Sequence, residues 1–324
     1  MATNVMLKQG TLAEILNRIA HNGNLMTVAE ILQKDTPILK DAIWTEANGV
    51  NQHVYSKRTK LPTSQILEYN SGVSGNRGKT KEVTVGMYAR GNRPYYDKRL
   101  VDIAPDPKKY RMQEATAVIE GIGQEVDEDI IYADKNDVYK FDGLVRYPNA
   151  TNGMLVKGSA VGSEAKITSA YIVAWDLTNG AYLVYPKGSK GGVKYEDKGQ
   201  RAKEMSDGSV MEVYEDYVEA SCGLCVVDDR AVGRICNIPL DTIDANTFSE
   251  DDVIILMNKM PASLRSKAVM YVSRGLMSAI EIRANAKDNC YYTPKDVFGE
   301  TITAIRGMPI RLDEKISEAE SFVS

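Results

Sequence analysis

Apolar and polar positions along this chain follow two different periods, and the switches between them mark out its segments. Leu12, Ile15, Leu16 and Ile19 recur at helical spacing, and residues 28–32 repeat the pattern before Pro37. This predicts two short helices on an extended N-terminal arm, residues 1–50, with Pro37 as the stop. Residues 54–59 and 82–88 have strand-favouring alternation on either side of a stretch holding Gly72, Gly75 and Gly78, which predicts a long hairpin over 51–95 with a glycine-rich tip. After Pro105 and Pro107 the period returns to that of a helix. Met112, Ala115, Ile119, Ile122, Val126, Ile130 and Ala133 form one long apolar stripe with acids between them. Gly121 and Gly123 weaken its middle, so close packing against another element is expected there.

Strand-length runs rich in Val, Ile, Tyr and Trp follow at 167–185, 214–220 and 222–238. Turn residues Thr178-Asn179-Gly180 and Asp228-Asp229 interrupt them, which predicts a sheet built of hairpins. The stretch 187–208, loaded with Gly, Lys, Asp and Glu, reads as a mobile surface loop. Beyond the capping sequence Thr247-Phe248-Ser249-Glu250, residues 251–260 read as a helix, 268–272 as a buried strand and 273–284 as a second helix. Gly307-Met308-Pro309 then breaks a strand-like 302–312. That order makes a small α/β unit.

Charge adds one feature that periodicity does not reveal. The 324-residue chain is mildly acidic, with a formal net charge of -4, which argues against a protein devoted to gripping nucleic acid. Between Tyr55 and Leu100, however, ten Lys or Arg stand against three acids, so the hairpin is basic on an acidic chain. No stretch has signal-peptide character or the length to span a bilayer, and a soluble protein made in the cytoplasm is expected. The four cysteines, Cys222, Cys225, Cys236 and Cys290, are too few and unevenly spaced for a disulfide framework, and read as reduced, mostly buried thiols.

The candidates for chemistry are weak. Gly78-Lys79-Thr80 resembles the end of a phosphate-cradling loop, but the required earlier glycine falls on Val73 and a strand pattern follows where a helix is needed. Cys222-Gly223-Leu224-Cys225 lacks a matching second pair, and both histidines, His21 and His53, lie far upstream. The run Glu125, Asp127, Glu128, Asp129 reads as the solvated face of the long helix, and 187–192 as an exposed or inter-subunit loop. Hence no catalytic residue, metal or cofactor is expected. One rival reading is a nucleotide-dependent enzyme using Lys79 and Thr80.

Certain stretches resemble a known family, in order along the chain. They are Pro37-Ile38-Leu39 with Trp44-Thr45-Glu46-Ala47-Asn48; Arg58-Thr59-Lys60-Leu61-Pro62 with Tyr69-Asn70-Ser71-Gly72-Val73; Tyr185-Pro186-Lys187-Gly188-Ser189-Lys190-Gly191-Gly192 with Glu196-Asp197-Lys198-Gly199; and Cys222-Gly223-Leu224-Cys225-Val226 with Arg230 and Arg234-Ile235-Cys236-Asn237-Ile238. These are similar to tailed-bacteriophage major capsid proteins, and most of all to the coat proteins of epsilon-fifteen-like podoviruses. The chain departs from them near Ile66-Leu67-Glu68, where the family tends to a Trp-Arg pair, and near Asp229, where it tends to an aromatic residue.

The resemblance implies an α+β, HK97-like fold in permuted order: an N-terminal arm over 1–50, an extended loop over 51–95, a peripheral domain over 96–245 with its spine helix at 105–135, an axial domain over 246–312 and a tail over 313–324. It implies a major capsid protein assembling as hexamers and pentamers into an icosahedral shell around double-stranded DNA, without sequence-specific binding and with no membrane. Scaffolding, portal and cement proteins are the implied partners, and the host cytoplasm the place of assembly. On that reading Arg77, Lys79 and Lys81 are candidates to pair with Glu125 and Asp129 on a neighbouring subunit's spine helix. The rival to this reading is another virion component such as a cement or tail protein.

Overall fold

The computed structural model describes residues 36–323 apart from 68, 71, 163–165, 190–192, 206, 242, 244–246, 285–291 and 298–299. The two helices expected near the N-terminus, His21 and Cys290 lie outside the described residues. Helix α1 (Pro37–Asp41) begins at Pro37, so this proline opens a helix. The missing N–H of a proline costs nothing in the first turn, where backbone donors have no helical partner.

Strand β1 (Trp44–Glu46) is followed by the long hairpin β2 (Gln52–Lys60) and β3 (Lys79–Gly86), then by β4 (Tyr88–Asn92) and β5 (Tyr95–Asp97). Short helix α2 (Lys98–Ile103) leads into α3 (Pro107–Tyr132), whose first turn is capped by Asp106 accepting from the Lys109 backbone N–H at 3.0 Å. The remaining elements are β6 (Leu155–Lys157), β7 (Ile167–Ala174), β8 (Ala181–Tyr185), β9 (Val193–Glu204), β10 (Val210–Val226), β11 (Val232–Pro239), α4 (Glu250–Lys259), α5 (Ala262–Arg265), β12 (Ala268–Val272), α6 (Arg274–Ala284), β13 (Tyr292–Val297), β14 (Glu300–Ile305) and β15 (Met308–Leu312).

These strands form two sheets besides the hairpin. One is organised on β10, with β8 and β9 end to end along one edge, β4 and β5 along the other, and β1 outside β8. The other runs β13-β14-β15-β12-β7-β11-β6. The turns at 178–180 and 228–229, predicted to close hairpins, are instead the joints between the sheets: β7 and β11 belong to the second, β8 and β10 to the first.

The reason is visible in β7, which is buried along its whole length. Tyr171 and Val173 face one apolar core, shared with Ile122, Val126 and Ile130 of α3; Ala170, Ile172 and Ala174 face a second, shared with Val253 and Leu256 of α4 and Leu276 and Ile280 of α6. A strand apolar on both faces lets its neighbours pack on either side. Through β7, strands β6 and β11 share one sheet with β12 and β15, across the boundary expected at residue 245.

Two further expectations are corrected. The presumed mobile loop 187–208 is largely strand β9, held by antiparallel pairing to β10 that a single bulge interrupts; its polar composition reflects an edge strand largely wet on both faces. The close packing expected at Gly121 and Gly123 is absent, since a Cβ at either would meet nothing within 4 Å. Gly121→Ala is therefore expected to stabilise the unassembled subunit by about 1 kcal/mol, read from a thermal or urea melt.

At Arg306-Gly307, the left-handed backbone of both residues (φ 50° and 83°) closes the β14–β15 hairpin.

Candidate assembly surface

The hairpin is anchored at its base and bare at its tip. Near the base, Tyr55 Oη donates to the Val226 carbonyl at 2.8 Å, and the backbone N–H groups of Gly86 and Met87 donate to the carbonyls of Lys140 and Asn51, both at 3.1 Å. Val85 and Met87 are buried in the first core. Register then sets Lys57 opposite Lys81, a like-charge pair that disfavours the hairpin unless an anion approaches. Asp229, from the joint between the sheets, supplies one for Lys57 at 2.9 Å.

Among the described residues no ion pair reaches Arg77, Lys79 or Lys81. Every described residue from 58 to 82 is exposed, including Leu61, Ile66, Leu67, Tyr69 and Val73, with Ile66 at 95% and Tyr69 at 102% of full accessibility. Apolar side chains grouped in this way on a projecting tip mark a surface made to be covered. Lys79 and Thr80 begin a strand, so no helix N-terminus stands behind them to hold a phosphate.

Helix α3 lies on the β10-centred sheet with a groove on each side. The groove toward β4 is polar, lined by Arg90, Asn92, Glu114, Gly121 and Glu125. The one toward β9 is more apolar, lined by Met112, Ala115, Ile119 and Tyr195 with Asp197 and Arg111 at its rim. Glu125 presents a side chain 56% exposed, whereas that of Asp129 is 5% exposed and engaged inside its own chain.

Arg90 on β4 meets both Asp129 oxygens, through Nε and, at 2.8 Å, through Nη2; it also donates to Glu125 Oε2 at 2.8 Å, and Tyr88 Oη donates to Asp129 at 2.5 Å. The Asp129 hydrogen bonds hold the Arg90 guanidinium firmly charged, and burial raises the Tyr88 phenol beyond its usual range. Of the two acids expected to pair with a neighbour, Asp129 is thus occupied at home.

A second buried ion pair closes the far end of the chain. Glu320, in the C-terminal tail, accepts from Tyr132 Oη at 2.7 Å, Tyr171 Oη at 3.0 Å, Arg234 Nη2 at 2.8 Å and Ser169 Oγ. Neither Arg90 nor Glu320 stood out in the sequence. Each finds its partners at least 35 positions away, beyond the reach of any periodicity. Cys222 and Cys225 lie buried in β10, and burial pushes both thiols up to about 12, so they serve as packing groups and not as thiolates. Among the described residues no helix is long and apolar enough to cross a membrane, and no group of three or more His, Cys, Asp or Glu side chains could hold a metal ion.

A long helix laid on a strongly extended sheet, a second α/β unit, and a projecting hairpin with a bare apolar tip together define an HK97-like shell protein of tailed phages. The fold agrees over the whole chain with one in the structure of bacteriophage Epsilon15, at 26% identity and a TM-score of 0.74, covering 99% of each chain. It also agrees with the capsid of bacteriophage JBD30 at 10% identity and a TM-score of 0.55, covering 91% of this chain and 94% of that one. No curated protein matches the chain. Residues 20–324 match the family Major capsid protein GP7, and the chain belongs to that family. It is the coat protein of a tailed phage, from which the icosahedral shell is built.

Proposed function

We propose that copies of this chain assemble as hexamers and pentamers in the host cytoplasm, each laying its 51–95 hairpin over the adjacent copy and together enclosing double-stranded DNA without reading its sequence. The observation that carries this is the exposed tip, where Leu61, Ile66, Leu67, Tyr69 and Val73 find no cover among the described residues of their own subunit. Arg77, Lys79 and Lys81 pair with acids of the neighbour's spine helix; Glu125, exposed on the rim of the polar groove although it also meets Arg90, supports that role better than Asp129, which is buried. Each such pair contributes only about 0–1 kcal/mol. Repetition around a closed shell makes the sum decisive.

In domain terms, 1–50 is the arm, 105–135 the spine helix, 96–245 with the β10-centred sheet the peripheral domain, 246–312 the axial domain and 313–324 the tail. Strands β6, β7 and β11 join the axial sheet. Scaffolding, portal and cement proteins are the partners of this role, and it requires no catalysis.

The test replaces residues 61–78 with a two-residue Asn-Gly turn. The subunit should fold with unchanged circular dichroism and melting, yet yield no closed shells by electron microscopy when co-expressed with its scaffold. Closed shells from that variant would overturn the reading.

A further inference from the structure

Asp127 on α3 is an acid with no solvent and no donor. Its residue is 0% exposed, and no N–H or O–H of the described residues reaches either carboxylate oxygen. Its hydrogen-bonding neighbour is a second fully buried carboxyl, Asp313, at the point where the chain leaves β15 for the C-terminal tail. Asp313 is set in place by its surroundings: its backbone N–H donates to the Val272 carbonyl, and its Oδ1 accepts from the Lys315 backbone N–H, both at 2.9 Å. Two carboxylates cannot share a site without water, since desolvation and mutual repulsion both oppose the second charge. One proton between them removes the repulsion and supplies the missing donor.

The tail that begins here binds several elements of the subunit together. Ile316 is buried in the first core. Ser317 takes the Thr168 hydroxyl on its carbonyl at 2.9 Å and donates its N–H to Tyr132 Oη at 2.9 Å. Glu318 accepts from the Gly275 N–H at 2.7 Å, the Glu320 N–H donates to the Ile167 carbonyl at 2.9 Å, and Asn237 exchanges hydrogen bonds with Val323 at 2.8 and 2.9 Å. The helix, both sheets and α6 therefore meet at one strap, and Asp127 is its first point of contact with α3.

We propose that a single proton shared between Asp127 and Asp313 latches the C-terminal tail onto the spine helix, and that the latch loosens as pH rises. Burial first, then Asp313, push the Asp127 carboxyl up to about 9, against the ordinary carboxylate range it regains when the tail is unseated. The sign follows: the seated tail keeps the proton and the unseated tail gives it to solvent, so the seated state is favoured most in acid. It loses ground from about pH 4 to about pH 9, and no further above that.

Among the described residues, the other titratable groups facing the pair come from the tail, α1 and β12. Lys315, which opposes the upward push on Asp127, is held 2.8 Å from Glu128. Tyr271 on β12 lies on the Asp313 side with Asp41, itself 3.6 Å from Arg311, and burial holds the Tyr271 phenol protonated throughout this range. His53, the one histidine among the described residues, sits on the hairpin against Tyr182.

Hydrogen exchange of assembled shells, followed by mass spectrometry from pH 5 to 9 and divided by the intrinsic rate at each pH, tests the latch at the Glu320 and Val323 amides. Protection in the natural protein should fall by roughly tenfold per pH unit. In Asp127→Asn, whose amide donates without a titrating proton, and in Asp313→Asn as a second variant, protection should be independent of pH. A flat profile in the natural protein, or an unchanged slope in either variant that assembles, would overturn the proposal.

Discussion

Glu320→Ala is expected to destabilise the subunit by about 3–5 kcal/mol, the range for removing one partner of a buried ion pair. The loss is large because of what remains. Arg234 is 8% exposed and would keep its charge with its carboxylate partner gone, while Tyr132, Tyr171 and Ser169 would each lose an acceptor. Glu320→Gln should cost less, because the amide oxygen still accepts while only the charge is lost. Urea denaturation of the three proteins checks the order: natural most stable, then Gln, then Ala. Equal midpoints would show that the tail is a passive appendage.

Asp129→Ala should have a comparable effect through a different element. Arg90 joins β4 to α3 through both Asp129 oxygens, and Tyr88 adds a third hydrogen bond. Because the base of the hairpin runs through Gly86 into β4, cutting this tie also frees the angle at which the hairpin leaves the body. A loss of about 3 kcal/mol is expected for the single change, since Arg90 keeps Glu125 and some solvent, and most of it should return in Arg90→Met/Asp129→Leu, which removes both charges. A double-mutant cycle in urea measures the coupling. If the hairpin angle matters for assembly, the repaired double variant will melt like the natural protein and still close fewer shells in electron micrographs.

Much of this architecture is legible in the sequence. The stripe from Met112 to Ala133 announced helix α3, because a helix lying on a sheet must repeat its apolar residues every three or four positions. Glycines between strand patterns announced the hairpin, and its surplus of Lys and Arg set it apart from the acidic chain. The apparent loop at 187–208 misled because a strand wet on both faces carries no apolar alternation. It is strand only because β10 offers it an edge.

The order of elements, the projecting basic hairpin and the apolar cores were therefore determined locally, by periodicity and turn chemistry that act over a few residues. Which sheet each strand joins, which acid is consumed by Arg90, and where Asp127 and Glu320 find their partners were decided only on folding. Those outcomes depend on residues 39 to 188 positions apart meeting in a buried place. Burial is what turns an ordinary carboxylate into a clamp or a latch, and no residue carries its own burial in the chain.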